Sequence, residues 1–165
     1  MPEFLELGDF KRRMLRIDVS DFDDDLNSML DAAEHRIGDP YNGILRRPVL
    51  RQSFEEQFEA FVAVDLEFPD TAEIVSVTYR DRDGSLQTLP GIFTLKSGNL
   101  CLNFGESWPV HAGEISVSYL AGWPVEAVPE PIKNACYVAA QMIWDGENYN
   151  DRIEAMLAGY RRTKL

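Results

Sequence analysis

The chain has 165 residues, enough for one domain, or one domain carrying an inserted subdomain, able to bury about two-thirds of its unfolded surface. Hydrophobic residues at 45% and aromatics at 11% exclude global disorder. With 28 acidic against 16 basic residues the net charge is −12, so the surface as a whole repels nucleic acid and anionic membranes.

The first residues, Met-Pro-Glu-Phe-Leu-Glu-Leu, carry acids where a secretory signal carries lysine or arginine. No apolar run approaches the roughly 20 residues of a membrane span, so a protein without export signal or membrane anchor is expected. Asp9 then reads as the cap of a short helix with Phe10, Met14 and Ile17 on one face. Ser20 or Asp21 reads as the cap of a second helix, with Leu26, Met29, Leu30, Ala33 and Ile37 inward. Asp23, Asp24 and Asp25 fill its first turn, where carboxylates meet unpaired N–H groups and the positive end of the helix dipole. Gly38, followed by Asp39-Pro40, ends it.

Residues from about 48 to 119 read as antiparallel sheet. Turn chemistry recurs at Asp83-Gly84, Pro90-Gly91 and Ser97-Gly98-Asn99. Between the turns lie short apolar runs, Ile74 to Tyr79 and Leu100 to Phe104. Phe54, Phe58 and Phe61 fit a helix, while Leu50, Gln52, Phe54 and Phe58 fit one face of a strand. Periodicity alone leaves both open, and Pro48 with the flanking strands favours the strand. Ile115, Val117 and Tyr119 alternate with Glu114, Ser116 and Ser118 as a last half-buried strand.

Gly122, Pro124 and Pro129 stop the sheet. Pro131 suits the first turn of a helix whose apolar residues are Ile132, Ala135, Cys136, Ala139, Met142 and Ile143. Near Gly146 that helix ends. A shorter one follows, capped by Asn150 or Asp151, with Ile153, Met156, Leu157 and Tyr160 on one face. The tail, Arg161 to Leu165, is basic, which suits either a helix C-terminus or an interaction tail. The fold class expected is α+β: N- and C-terminal helices packed as an α-helical bundle, with an inserted antiparallel β-sheet subdomain. One domain is expected over 1–165, helical at 8–38 and 130–162, with the β-rich insertion at about 48–119.

Signatures of catalysis are absent: no Gly-x-Ser-x-Gly elbow, no phosphate loop, no Gly-x-Gly-x-x-Gly. His35 and His111 stand alone as surface and loop residues. Asp21, Asp23 and Asp25 imitate the first calcium-loop ligands, but Leu26 and Ala32 stand where glycine and a bidentate glutamate are needed. No catalytic residue, metal or cofactor is therefore expected. Cys101 and Cys136 form no CxxC pair, Cys136 falls on an apolar helix face, and a reducing compartment is expected. Trp108, Trp123 and Trp144 could line a glycan platform, but their places at corners and helix ends favour packing.

Four motifs in order resemble the head–tail connector (adaptor) proteins of long-tailed bacteriophages and phage-like gene transfer agents. Phe10-Lys-Arg-Arg-Met-Leu15-Arg16-Ile17-Asp18, with the acidic stretch after it, is similar to that family's opening. Ile74 to Tyr79 followed by Asp81-Arg-Asp-Gly84 resembles its hairpin. Ser107-Trp108-Pro109 comes next. Tyr119-Leu-Ala-Gly-Trp123, running through Val128-Pro129 to Ile132-Lys133-Asn-Ala135, resembles its strand-to-helix passage. The likeness spans residues 7 to about 145, and Met156 to Arg161 is similar to the family's ending. Trp144-Asp-Gly146 departs from it by interrupting the C-terminal helix.

The resemblance implies a structural virion protein of the neck, assembled in the bacterial host cytoplasm. It further implies a ring, commonly of twelve copies, between the portal protein and a stopper, head-completion or tail protein. Double-stranded DNA would pass through without specific binding. Twelve copies would carry on the order of −144 charges, in keeping with a duct that must not grip phosphates. It also implies a portal contact through the C-terminal segment, with Ile153, Met156, Leu157, Tyr160, Arg161, Arg162, Lys164 and Leu165 as candidates. The reading from a different class is a small-ligand or glycan-binding β module flanked by helices.

Overall fold

A computed structural model describes residues 3–18, 20–69, 72–111, 113–147 and 151–161. The chain is α+β: helices from both ends of the sequence pack as a bundle, and the segment between them forms an antiparallel sheet. It divides into a helical unit, residues 1–50 with 123–165, and a β unit, residues 51–122.

In the helical unit, α1 (Leu7–Phe10) runs directly into one π-helical turn, Lys11–Leu15. This corrects the expected cap. The helix begins before Asp9, and the Asp9 carboxylate pairs instead with Arg12 and Arg13, one turn on. Because the π turn changes the period, the Phe10–Met14–Ile17 stripe is not kept. Phe10 is fully buried, while Met14 and Ile17 only border the core. The turn closes on Arg16, in the left-handed region at φ 56.

Helix α2 (Asp23–Gly38) also starts later than expected. Neither Ser20 nor Asp21 caps it through a side chain; the Ser20 carbonyl accepts the Asp23 N–H and the Phe22 carbonyl accepts the Leu26 N–H. Asp23, Asp24 and Asp25 do fill the first turn. Leu26, Leu30, Ala33 and Ile37 are wholly buried and meet Ile132, Ala135 and Ala139 of α3 (Glu130–Trp144) in one core. Each such leucine or isoleucine contributes roughly 1.5–3 kcal/mol by leaving water. The short α4 (Asp151–Leu157) closes the bundle; an Asn150 cap lies outside the described residues.

The loop after α2 folds back on it tightly. The Asp39 carboxylate accepts the N–H groups of Tyr41 at 2.9 Å and Asn42 at 2.6 Å, and these bonds hold it below the usual carboxylate range. The Asp39 carbonyl accepts from Gly43, Arg36 from Ile44, and Ile37 from Leu45. A Cβ at Gly43 would stand 2.5 Å from the Asp39 carbonyl oxygen, so the turn requires glycine.

The β unit holds a four-stranded antiparallel sheet in the order β1 (Gln52–Phe58), β6 (Ile115–Ala121), β2 (Glu73–Arg80), β3 (Leu86–Thr88). The ambiguous phenylalanine segment is thus a strand up to Phe58, while Phe61 lies in a 3-10 turn and is buried. Val77, Ile115, Val117, Tyr119 and Ala121 form the buried face. The opposite face is hydroxyl-rich, with Ser116 opposite Gln57 and Thr78, and Ser118 opposite Glu55 and Ser76. Asp81 ties the β2–β3 turn through the N–H groups of Asp83 and Ser85 and the Gln87 amide, which keep its pKa low.

Strands β4 (Phe93–Lys96) and β5 (Asn99–Leu102) make a separate hairpin through Ser97 and Gly98, at φ 49 and 88. Positive φ at both positions is the geometry of a two-residue hairpin turn. The run expected to reach Phe104 stops at Leu102. Asn103 turns away to bond the Ile92 carbonyl through its N–H and Thr94 through its side chain, and Phe104 is left fully exposed.

Candidate functional site

The C-terminal helical stretch is shorter than the expected 130–162, since α4 ends at Leu157 and Tyr160 lies in the turn after it. Two of the four stripe residues are used internally. Ile153 and Leu157 are completely buried in the core of the helical unit. Met156 is 36% exposed, and Tyr160 is partly buried against the core's edge. Arg161 pairs with Glu154 at 3.3 Å. Arg162, Lys164 and Leu165 lie outside the described residues. The accessible part of the expected stripe is therefore Met156 with the edge of Tyr160, beside Arg161.

The chemical candidates each have their own local surroundings. His35 points into solvent near Asp39, at 3.9 Å. The His111 Nε2–H donates to the Glu59 carbonyl at 3.2 Å while the ring packs edge-on against Phe61. Cys136 is buried, and loss of hydration pushes its thiol well above the ordinary range, which makes it inert. Among the described residues, no three His, Cys, Asp or Glu side chains are grouped to hold a metal ion. No helix among them is long and apolar enough to cross a membrane. Each tryptophan has its own packing partner. Trp108 stacks on Phe61 at 4.9 Å, Trp123 lies under the Arg47 guanidinium at 4.6 Å, and Trp144 meets Phe22 edge-on at 5.7 Å.

Three arrangements escaped the sequence reading. Glu34, only 7% exposed, accepts the backbone N–H groups of Glu3, Phe4 and Leu5 at 2.7, 3.1 and 2.9 Å, and Tyr137 takes that of Glu6 at 3.1 Å. Burial raises the Glu34 pKa, and the three N–H groups only partly offset this. A signal existed: Glu34 falls between Ala33 and Ile37 in the inward stripe of α2. In the β unit, Glu56 on the inner face of β1 bonds the Tyr119 hydroxyl and the Glu67 N–H. Its position between Phe54 and Phe58 was the corresponding sign. The third is the pairing of Arg47 with Trp123, 76 residues apart, which no local pattern could indicate.

The described residues form an α+β arrangement, a helical bundle with an inserted antiparallel sheet. No family model matches this chain, and no curated protein sequence does. Solved structures do. A chain in the neck of an empty GTA particle, computed with C6 symmetry, is similar at TM-score 0.62 and 16% identity. A chain in the virion of a native gene transfer agent (GTA) particle gives TM-score 0.63 at 18%, and one in the neck of a native GTA particle, computed with C12 symmetry, 0.59 at 14%. Each likeness covers 98% of this chain and 91% of the other, so both units are shared in one order.

Proposed function

We propose that this chain is a structural neck protein, a head–tail adaptor of a tailed phage or gene transfer agent. It forms a ring of copies between the portal protein and the next neck or tail protein, with DNA passing through. The observation that carries the reading is the end-to-end likeness to chains of GTA neck and virion structures. The ordered motifs of the sequence point the same way, from independent information. The net charge of −12 suits a duct that must release phosphates. In this role the protein is a virion component without catalytic activity, and the symmetry of the GTA necks supports the ring.

The portal contact belongs to the C-terminal segment. Ile153 and Leu157 fix α4 on its own bundle, which leaves Met156, Tyr160 and Arg161, with Arg162, Lys164 and Leu165, to meet the portal. Particles assembled without this chain are expected to accumulate as DNA-filled heads separate from tails, and adding the purified chain should join them. A Met156→Glu, Arg161→Glu variant, which spares the buried residues, should fold normally and fail to join heads. Joined particles formed in the absence of the chain overturn the adaptor reading. Full activity of the double variant overturns only the portal assignment.

A further inference from the structure

The two ends of helix α2 carry opposite charge and exposed aromatic surface. At its start, Asp21, Asp24 and Asp25 are exposed around the Phe22–Trp144 pair, whose rings are 45% and 37% exposed. At its far end the tight 39–45 turn leads to a basic knuckle. Arg46 is exposed, and Arg47 lies over Trp123 with the exposed ring of Tyr41 nearby in sequence. The sixteen residues of α2 set the two ends roughly 24 Å apart on one rigid element.

The knuckle is built, not frayed. Leu45, Pro48 and Val49 are buried on either side of the arginines, and the Val49 carbonyl accepts the Trp123 N–H at 2.8 Å. Between these anchors Arg46 is held in the left-handed region, at φ 52. A non-glycine residue there costs about 1–2 kcal/mol. Among the described residues the Arg46 side chain has no ion-pair or hydrogen-bond partner, so the buried anchors on either side fix its backbone while its guanidinium stays uncommitted. The strained backbone does aim a guanidinium outward in a chain with 28 acids and 16 bases.

We infer that the Arg46–Arg47 knuckle of one copy docks on the acidic, aromatic start of α2 in the next copy. The contact joins two different patches, so it is head-to-tail and generates a ring when the rotation closes. Arginine suits both elements of the receiving patch, pairing with carboxylates and lying on aromatic rings. Arginine with exposed tryptophan and tyrosine is also the composition of interface hot spots. The inference rests on the ring reading above and adds the faces that form it.

Disulfide trapping tests this even where free copies associate weakly. In the full-length chain, with Cys101→Ser to remove the accessible native thiol, Asn42→Cys and Ser20→Cys place one thiol beside each patch. Mild oxidation should give a ladder of covalent oligomers from the double variant and at most dimers from either single one. Adding Arg46→Glu should reduce the ladder on the order of tenfold, and adding Asp24→Arg and Asp25→Arg to it should restore the ladder. Arg46→Gly should also weaken the ladder while keeping or raising the melting temperature, because glycine relieves the positive φ. A ladder indifferent to Arg46→Glu overturns the inference. So does an absent ladder in a protein that forms rings by electron microscopy, and the adaptor reading then stands. Absence of ladder, rings and incorporation into necks together would remove both.

Discussion

At the scale of single residues, the informative positions are those where a side chain contradicts its surroundings. Glu34 is charged in an apolar stripe, and its reward is the capture of three successive backbone N–H groups that would otherwise be unpaired. Its pKa is raised, so the folded state binds a proton more readily than the unfolded state. Folding stability from this group is therefore fully present below the ordinary glutamate range and is lost as pH rises toward the raised folded value. Thermal melts of wild type and Glu34→Gln across the acidic to neutral range should show the wild type's relative stability falling as pH rises. A relative stability that rises with pH would mean that the N–H groups outweigh burial. The sequence placed Glu34 in the helix but not its role, since the partners are backbone groups of residues about thirty positions away.

At the scale of elements, legibility followed period and turn chemistry. Strand β6 and helices α2 and α3 stood out because alternation or helical spacing runs uninterrupted through them, and proline or glycine marks their ends. The first helix did not, because one π turn breaks the 3.6-residue period that the reading assumed. The α4 stripe was visible, but spacing shows that one face is apolar and not whether the chain's own core already covers it. Turns can be tested directly. Gly84 and Gly98 both hold positive φ, at 82° and 88°, yet a Cβ at Gly84 meets nothing within 4 Å. One at Gly98 would meet Pro69 at 2.9 Å and the Asp65 carboxylate at 3.2 Å. Gly84→Ala should cost about 1 kcal/mol from backbone strain alone, and Gly98→Ala clearly more. Equal losses in chemical denaturation would show that the Pro69 contact yields freely.

At the scale of the whole molecule, the deciding quantity is charge and how it is distributed. A net charge of −12 opposes a polyanion, and the Arg46–Arg47 knuckle, with Arg46 exposed and Arg47 partly buried over Trp123, is a local basic exception. Two arginines release too few counterions to overcome that general repulsion; six to ten phosphate contacts are typical of proteins whose binding is strongly salt-dependent. The purified chain should therefore bind short duplex DNA only weakly at physiological salt, as fluorescence anisotropy would measure. The Arg46→Glu variant should behave like the wild type in that assay. Submicromolar binding abolished by Arg46→Glu would reassign the knuckle from a neighbouring copy's carboxylates to phosphates, and the duct would then grip the DNA it conducts. Weak binding, unchanged in the variant, leaves the exposed Arg46 guanidinium for protein contact, where charge complementarity with carboxylates supplies specificity without counterion release.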